Sequence, residues 1–188
     1  MKTIQTAMQY AIVPVFYHDD KQVCQHVLQA CYDGGIRIFE FTNRGENARD
    51  NFKYLRDIVS QSMPNLYLGV GSLITENDAQ YFIQNGADFL VSPIFSDAVW
   101  KVCLQQQVIY IPGCATPTEM GRAQTMGCEI TKLFPGEVFG AQMVSAIMAP
   151  ASTDSRYAEY LYCWAISKSS DSSSGINWVT TLETSTFV

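Results

Sequence analysis

The chain has 188 residues, of which 47% are hydrophobic and 16% are charged, and its formal net charge is −6. This composition is typical of one globular domain with a substantial core, and it excludes a disordered chain. The negative charge and the absence of a Lys/Arg cluster argue against nucleic acid and against an anionic membrane as partners.

The N-terminal sequence, the cysteines and the histidines further limit the class of protein. Residues 1–20 hold one early lysine and a short apolar run before His18, so we expect neither a signal peptide nor a membrane span. Six cysteines are scattered without a C-x-x-C motif, which indicates reduced thiols in a cytoplasmic protein. The two histidines, His18 and His26, lack a neighbouring cluster of ligand residues, so no metal site is predicted.

Short apolar runs that end in glycine, proline or a polar turn recur through the first part of the chain. They predict six strands, at residues 12–16, 37–42, 66–71, 89–93, 108–112 and 130–135. Near-continuous apolar runs of this length are typical of parallel strands that are buried on both faces.

Segments with helical spacing lie between these strands. They predict helices at residues 20–32, 46–60, 75–85, 116–126 and 138–148. Thr75 is a candidate N-cap, and the pair Gly34–Gly35 and Gly86 are candidate helix ends. Six consecutive βα units indicate an α/β fold with a parallel sheet. Their regular spacing favours a (β/α)8 barrel over a doubly wound sheet, because the turn after the first strand has no phosphate-binding glycines.

The sequence changes character after Pro150. Residues 1–150 are predicted to contain barrel units one to six, and residues 151–188 form an atypical serine-rich tail of the same domain. Within the tail, residues 157–166 could form a helix and residues 176–182 a last strand, whereas residues 167–175 (SKSSDSSSG) are typical of a flexible linker. We therefore expect the barrel to be incomplete or altered at strands seven and eight, with strand edges left open.

Lys132 is the most informative polar residue at the strand ends, where a barrel keeps its chemistry. It lies in the run ITKLFP, at an inward position that Val or Ile usually occupies. Burial of an ammonium group without a counter-ion favours the neutral amine, which can attack a carbonyl carbon. The alternative is a structural lysine that reaches solvent at the strand end.

Glu40 lies between two phenylalanines, and the period of two places it on one face with Thr42, followed by Arg44. A carboxylate in this setting could carry protons, and Arg44 could hold a substrate carboxylate. The residues alone slightly favour a simpler alternative, an ion pair between Glu40 and Arg44 that ties down the loop. The run GVG could admit a ligand or only form a turn. Cys114 is not expected to be a nucleophile, because none of the ends of strands two to six carries a histidine.

Five motifs in order resemble the 2-dehydro-3-deoxyphosphogluconate / 4-hydroxy-2-oxoglutarate aldolase family over residues 8–150. They are Glu40-x-Thr42-x-Arg44, Gly69-Val70-Gly71-Ser72, Ser92-Pro93, Ile111-Pro112-Gly113-x-x-Thr116 and Lys132-x-Phe134-Pro135. Each motif is modest alone, but the series at matching spacing is specific.

The resemblance implies a (β/α)8 TIM barrel of the class I aldolase type that needs no metal and no cofactor. Lys132 would form a Schiff base with the pyruvate portion of a keto acid, and Glu40 would be the general acid/base. The substrate-binding residues that the resemblance implies are Arg44, Ser72, Thr116 and Pro93. The reaction would be cleavage of 2-dehydro-3-deoxy-6-phosphogluconate to pyruvate and D-glyceraldehyde 3-phosphate, of 4-hydroxy-2-oxoglutarate to pyruvate and glyoxylate, or both.

The tail departs from the family pattern. Family members continue into a seventh strand that ends Pro-Thr-Gly-Gly and an eighth that ends Gly-x-Gly-Ser, and neither motif occurs here. A frameshift or an internal deletion in the gene is one hypothesis. Two alternatives stay open: a catalytically impaired aldolase-like protein without the phosphate-binding loops, and a phosphate-binding barrel of another chemistry such as an epimerase. The resemblance further implies a small-molecule keto acid as partner, a homotrimer and a cytoplasmic location.

Overall fold

The computed structural model describes residues 12–136, 138–139, 143, 162–168 and 177–182. Side chains are described for the first three of these ranges, and for 162–168 and 177–182 the backbone alone is described. Within these ranges, no helix is long and apolar enough to cross a membrane.

Eight strands form a closed ring in chain order. They are β1 (Ile12–Phe16), β2 (Ile38–Thr42), β3 (Tyr67–Gly71), β4 (Phe89–Ser92), β5 (Ile109–Cys114), β6 (Ile130–Leu133), β7 (Tyr162–Lys168) and β8 (Asn177–Leu182). The first six lie within two residues of their predicted bounds and form a parallel half-barrel, so the predicted α/β fold is confirmed. β7 continues parallel to β6, whereas β8 runs antiparallel to both β7 and β1. That last strand differs from the all-parallel order of a (β/α)8 barrel.

Five helices alternate with the first six strands. They are α1 (Lys21–Asp33), α2 (Ala48–Ser62), α3 (Glu76–Gln84), α4 (Asp97–Gln106) and α5 (Pro117–Thr125). The four predicted helices among them are confirmed within two residues. α4 was missed, although it buries Val99, Val102 and Cys103 and begins after the N-cap Ser96. Of the predicted helix 138–148, the described residues Val138, Phe139 and Met143 are helical, and the rest lies outside the described residues.

The helix ends follow the predicted signals. The Thr75 hydroxyl accepts a hydrogen bond from the backbone N–H of Asp78 and so caps α3. Beyond α1, Gly35 has a φ of 96°, a left-handed conformation that glycine adopts without steric cost. α3 is likewise followed by Gly86 with a φ of 86°.

The tail differs from its prediction in one element. The helix predicted at 157–166 is wrong over 162–166, because these residues belong to β7, and residues 157–161 lie outside the described part. The aromatic and branched residues Tyr162, Trp164 and Ile166 recur with the period of a strand, and this pattern outweighs the helical one. The last strand, predicted at 176–182, is confirmed over Asn177–Leu182. The linker predicted at 167–175 begins inside β7 and otherwise lies outside the described residues.

Strand alternation divides the core into two layers. An inner layer holds the inward residues of the strands, which are Val13, Val15, Ile38, Phe89, Val91, Ile111 and Ile130. An outer layer lies between the strands and the helices, where Phe41 of β2 contacts Phe52 of α2, and Phe52 packs edge-on against Phe82 of α3 at 5.3 Å. Both faces of the first six strands are thereby buried, as the apolar runs predicted.

Candidate active site

A lysine and a glutamate meet across the inside of the barrel. Lys132 lies on β6 and Glu40 on β2, two strands that are opposite each other in a ring of eight. The Nζ of Lys132 is 3.1 Å from both carboxylate oxygens of Glu40. Lys132 is 5% exposed and Glu40 is 1% exposed, so this is a buried ion pair.

The same strands carry apolar residues one step below the pair. Ile38 precedes Glu40 by two residues, Ile130 precedes Lys132 by two, and both isoleucines belong to the inner layer of the core. The ion pair therefore lies on the inward face, one layer nearer to the carboxyl ends of the strands.

This geometry rules out two alternatives that the sequence left open. A solvent-reaching Lys132 is wrong, because the side chain is buried and its ammonium group is bound to a carboxylate. A loop-tying ion pair between Glu40 and Arg44 is also wrong, because Glu40 pairs with Lys132 among the residues whose side chains are described. The lysine also differs from its prediction in having a counter-ion.

The inward glycines of β3 make room for the site. A Cβ on Gly71 would lie 1.9 Å from Oε1 of Glu40, and a Cβ on Gly69 would lie 2.3 Å from the ring of Phe89. Gly69 therefore admits a core side chain, whereas Gly71 admits the carboxylate of the ion pair. Neither open interpretation of GVG named this role.

Arg44 and Ser72 lie in neighbouring loops just beyond β2 and β3. The Nε of Arg44 is 3.4 Å from the hydroxyl oxygen of Ser72, a long hydrogen bond. Ser72 has a φ of 67°, a conformation that costs a non-glycine residue free energy and that its surroundings must hold. On either side of it, Asn43 N–H donates to the carbonyl of Gly71 at 2.9 Å, and Leu73 N–H donates to the carbonyl of Val91 at 3.2 Å.

Pro93 and Thr116 lie beyond the next two strands of the parallel half-barrel. A Cβ on Gly113 would lie 2.1 Å from the carbonyl oxygen of Pro93, so the ends of β4 and β5 are in tight backbone contact. The Thr116 hydroxyl accepts from the backbone N–H of Glu119 at 3.3 Å, and Glu119 binds back to the backbone of Thr116 in a capping box. Thr116 thus begins α5, and its contact with substrate stays a prediction.

Two further features of the site were missed. The ring of Phe134, within the K-x-F-P motif, lies with its centroid 5.8 Å from the Nζ of Lys132, close enough for a cation–π contact. Asp78, three residues after the N-cap Thr75, binds Arg49 and so connects the two helices that follow the loops of Arg44 and Ser72. The sequence showed Asp78 only as a helix-start signal, because its partner is 29 residues away.

Of the five cysteines whose side chains are described, four are buried and the fifth is partly buried. Burial raises the pKa of the Cys103 and Cys128 thiols to about 12, which keeps them protonated near neutral pH. Cys114 is 1% exposed and belongs to the outer layer of the core. Within residues 12–136, 138–139, 143 and the two last strands, no group of three or more His, Cys, Asp or Glu could hold a metal ion.

The fold and the site together define an α/β barrel in which a buried lysine amine lies beside a carboxylate, an arrangement typical of an enzyme active site. The family model described as "KDPG and KHG aldolase" matches residues 4–155. The chain belongs to this family, whose members are lyases.

Curated relatives carry the same names. The chain is 34% identical over 152 residues to a 2-dehydro-3-deoxy-phosphogluconate aldolase of Treponema pallidum, a match that covers 80% of this chain and 70% of the relative. It is 26% identical over 142 residues to the KHG/KDPG aldolase of Escherichia coli, covering 75% of this chain and 65% of that protein. The chain thus spans about two thirds of the length of these relatives.

Solved structures agree on the fold. A KDPG aldolase from Legionella pneumophila, with pyruvate captured as a covalent carbinolamine intermediate, is 25% identical with a TM-score of 0.66, and the match covers 73% of this chain and 65% of that chain. A 2-keto-3-deoxy-6-phospho-gluconate aldolase from Zymomonas mobilis has a TM-score of 0.71 at 23% identity, and covers 86% of this chain and 74% of that chain.

Proposed function

We propose that this protein is a class I aldolase that cleaves a 2-keto-4-hydroxy acid through an imine on Lys132. The observation that carries the proposal is the buried contact of 3.1 Å between Nζ of Lys132 and the carboxylate of Glu40. A nucleophilic amine needs a nearby base that can take its proton, and Glu40 is within hydrogen-bonding distance. The trapped carbinolamine of the Legionella relative supports the same chemistry here.

The first half of the reaction forms the imine. Lys132 transfers a proton to Glu40, and the amine attacks the C2 carbonyl carbon, so that an N–C bond forms and the carbonyl π electrons move to oxygen. Glu40 returns the proton to that oxygen to give a carbinolamine. Glu40 then carries a second proton from the nitrogen to the hydroxyl group, so that water leaves and a protonated imine remains. These transfers occur on the inward face of the barrel, away from bulk solvent, where a fixed carboxylate is an effective proton carrier.

The second half breaks the carbon–carbon bond. Glu40 takes the proton of the C4 hydroxyl, the C3–C4 bond breaks to give an aldehyde, and its electrons move into the protonated imine to give an enamine. Glu40 then protonates C3, and water hydrolyses the imine to release pyruvate. The imine nitrogen is the electron sink.

The pyruvate carboxylate would bind at Arg44 and Ser72. The guanidinium group offers a charge-assisted contact that a hydroxyl alone cannot supply. Both side chains lie at the carboxyl ends of the strands, at the same end as the Lys132–Glu40 pair. Pro93 and Thr116 complete the proposed substrate-binding set, beyond β4 and β5.

The two candidate keto acids differ at the end that does not become pyruvate, where 2-dehydro-3-deoxy-6-phosphogluconate carries a phosphate. We propose that the altered strands seven and eight weaken the grip on a phosphate, because the family's Pro-Thr-Gly-Gly and Gly-x-Gly-Ser runs are not in this sequence. 4-Hydroxy-2-oxoglutarate then becomes the better substrate relative to 2-dehydro-3-deoxy-6-phosphogluconate. The alternative of a catalytically impaired aldolase-like protein finds no support in the comparisons.

Release of pyruvate from each keto acid tests the function. The wild-type protein and a Lys132→Met variant are compared at equal concentration, with lactate dehydrogenase and NADH reporting pyruvate. We expect turnover of 4-hydroxy-2-oxoglutarate by the wild type and none by the variant. Turnover by neither folded protein, with either keto acid, would contradict the proposal. The predicted homotrimer and cytoplasmic location are checked separately, by light scattering and by fractionation of the source cell.

A further inference from the structure

Asp78 connects the two helices that follow the loops of the proposed carboxylate-binding side chains. It lies in the first turn of α3, and its carboxylate accepts hydrogen bonds from the Thr75 hydroxyl at 2.6 Å and from the guanidinium of Arg49 at 2.9 Å. Arg49 lies in the first turn of α2. The N-termini of α2 and α3 are therefore joined through one carboxylate, which we call the Asp78 brace.

The brace is ionised and partly shielded from solvent. Partial burial raises the pKa of Asp78. The opposing effect is larger, because the carboxylate accepts hydrogen bonds from Thr75, Arg49 and Asn43 and lies beside the positive charge of Arg49. The pKa of Asp78 therefore lies below its ordinary value. The side chains of Arg49 and Asp78 are 42% and 21% exposed. The guanidinium of Arg49 also lies over the ring of Tyr81, 4.5 Å from its centroid, which limits its freedom.

Each helix in the brace follows a loop that carries one carboxylate-binding candidate. Arg44 lies in the loop before α2, and Ser72 lies in the loop before α3. The backbone hydrogen bond from Asn43 to Gly71, at 2.9 Å, holds together the strand ends just before Arg44 and Ser72. Beyond that bond, the side chains of Arg44 and Ser72 meet through a long contact of 3.4 Å, which is too weak to fix their separation. On the helix side of the two loops, the ion pair between Arg49 and Asp78 is a shorter and charge-assisted side-chain link, at 2.9 Å.

We propose that Asp78 is a positioning residue that sets the separation of Arg44 and Ser72 and thereby the affinity for the carboxylate of the keto acid. This inference rests on the proposed function. Two loops held at the wrong separation lose a two-point contact even though each side chain is still present. The effect should fall on binding of a carboxylate and should leave the attack of Lys132 on a carbonyl unchanged.

A matched ion pair elsewhere in the chain provides the control. Asp97, the first residue of α4, accepts two hydrogen bonds from Arg122 of α5, at 2.9 and 3.0 Å. Like the brace, it joins a carboxylate in the first turn of one helix to an arginine of the neighbouring helix. It does not connect the elements that flank Arg44 and Ser72.

The test measures the concentration of carbonyl compound that half-saturates borohydride trapping on Lys132, by intact mass. Pyruvate is compared with ethyl pyruvate, which keeps the ketone but lacks the free carboxylate. For Asp78→Asn we expect the half-saturating pyruvate concentration to rise about tenfold, with no change for ethyl pyruvate. Arg49→Gln removes the brace from its other side and should do the same, whereas Asp97→Asn should match the wild type.

Three results would overturn the inference: an unchanged pyruvate value in both brace variants, an equal rise for both compounds, or an equal rise in Asp97→Asn. Far-UV circular dichroism shows which variants are folded, and Arg49→Gln serves if Asp78→Asn is not. A wild-type protein that forms no adduct with either compound would defeat the proposed function itself, an outcome distinct from these three.

Discussion

Gly71 shows how one residue without a side chain can determine the geometry of the buried ion pair between Lys132 and Glu40. The carboxylate of Glu40 occupies the space in which a Cβ would lie, at 1.9 Å from the position of that atom. Because Glu40 in turn binds Lys132 with both oxygens, any displacement of the carboxylate changes the distance of the proposed proton transfer.

We expect a Gly71→Ala variant to lose about a hundredfold in turnover, since a shift of the order of 1 Å in a catalytic group has an effect of that size. The measurement is pyruvate release under saturating substrate. Gly121→Ala is the control: Gly121 lies in α5 with nothing within 4 Å of the added Cβ, so activity should be unchanged and stability should rise by about 1 kcal/mol. Wild-type turnover in Gly71→Ala would show that the carboxylate does not need this space.

At the residue scale, the sequence predicted which residues are chemically unusual but not which ones pair. Lys132 and Glu40 were identified separately, one from its place in an apolar run and one from its aromatic neighbours. Their contact spans 92 residues of chain and depends on barrel closure, which no local pattern encodes. The partner that period-two parity suggested for Glu40 was Arg44, a cation four residues further along the chain.

At the scale of elements, α5 begins with a complete capping box. Thr116 accepts from the backbone N–H of Glu119, and the Glu119 carboxylate accepts from the backbone N–H groups of Ala115 at 2.7 Å and Thr116 at 2.9 Å. Pro117 occupies the first helical position, where its missing N–H costs nothing. The same threonine is a proposed substrate-binding residue, so the two roles must be separated by experiment.

A Thr116→Ala variant should lose about 1 kcal/mol of unfolding free energy, the usual cost of removing a hydroxyl cap. Urea unfolding measures this, and Thr116→Ser, which keeps the hydroxyl, should remain near the wild type. An unchanged stability of Thr116→Ala would contradict the cap. The Michaelis constant tests the second role. If the Thr116 hydroxyl also contacts the substrate, its removal raises the Michaelis constant.

The capping box also predicts a pH dependence. The Glu119 carboxylate accepts hydrogen bonds from the backbone N–H groups of Ala115 and Thr116, and these bonds lower its pKa. The slight burial of Glu119 raises the pKa by less, so that the net shift is downward. A carboxyl whose pKa is lower in the folded state stabilises the protein above its unfolded pKa, and this contribution is lost as the pH falls through the folded pKa. The stability difference between wild type and Glu119→Gln should therefore be full at pH 7 and shrink below about pH 4.5. A difference that grows on acidification would contradict this assignment.

Helix prediction succeeded where caps and apolar spacing agreed and failed for α4. The start of α3 was marked by Thr75 and its end by Gly86, whereas α4 is followed by Gln107, a non-glycine residue with a φ of 56°. A glutamine in the left-handed conformation cannot be recognised from the sequence, whereas the glycines that follow α1 and α3 can. Strand β7 was mistaken for a helix because a short apolar run fits both periods.

For the whole molecule, closure of the barrel depends on β8. Val179, in the middle of that strand, pairs with Val13 of β1 and with Ile166 of β7. The sequence predicted a final strand here but not its direction, because alternation with a period of two is the same in parallel and antiparallel strands. The ring of strands is what brings β2 and β6 into opposition.

A Val179→Pro variant should therefore melt about 5 °C below the wild type, because proline removes a ladder hydrogen bond within a strand that is paired on both edges. Differential scanning fluorimetry measures the shift. Asn177→Pro is the matched variant, since proline is tolerated at the first residue of a strand. Equal melting temperatures for the two variants would mean that β8 does not close the barrel.

Lys132 as an imine-forming nucleophile is the central claim, and one trapping measurement tests it most directly. The wild-type protein is incubated with pyruvate and borohydride, its intact mass is measured, and the modified residue is located by peptide mapping. We predict an increase by the mass of one reduced pyruvate unit, located on Lys132 and absent from Lys132→Met. Folded wild-type protein that acquires no adduct, or an adduct on another lysine, would contradict the account.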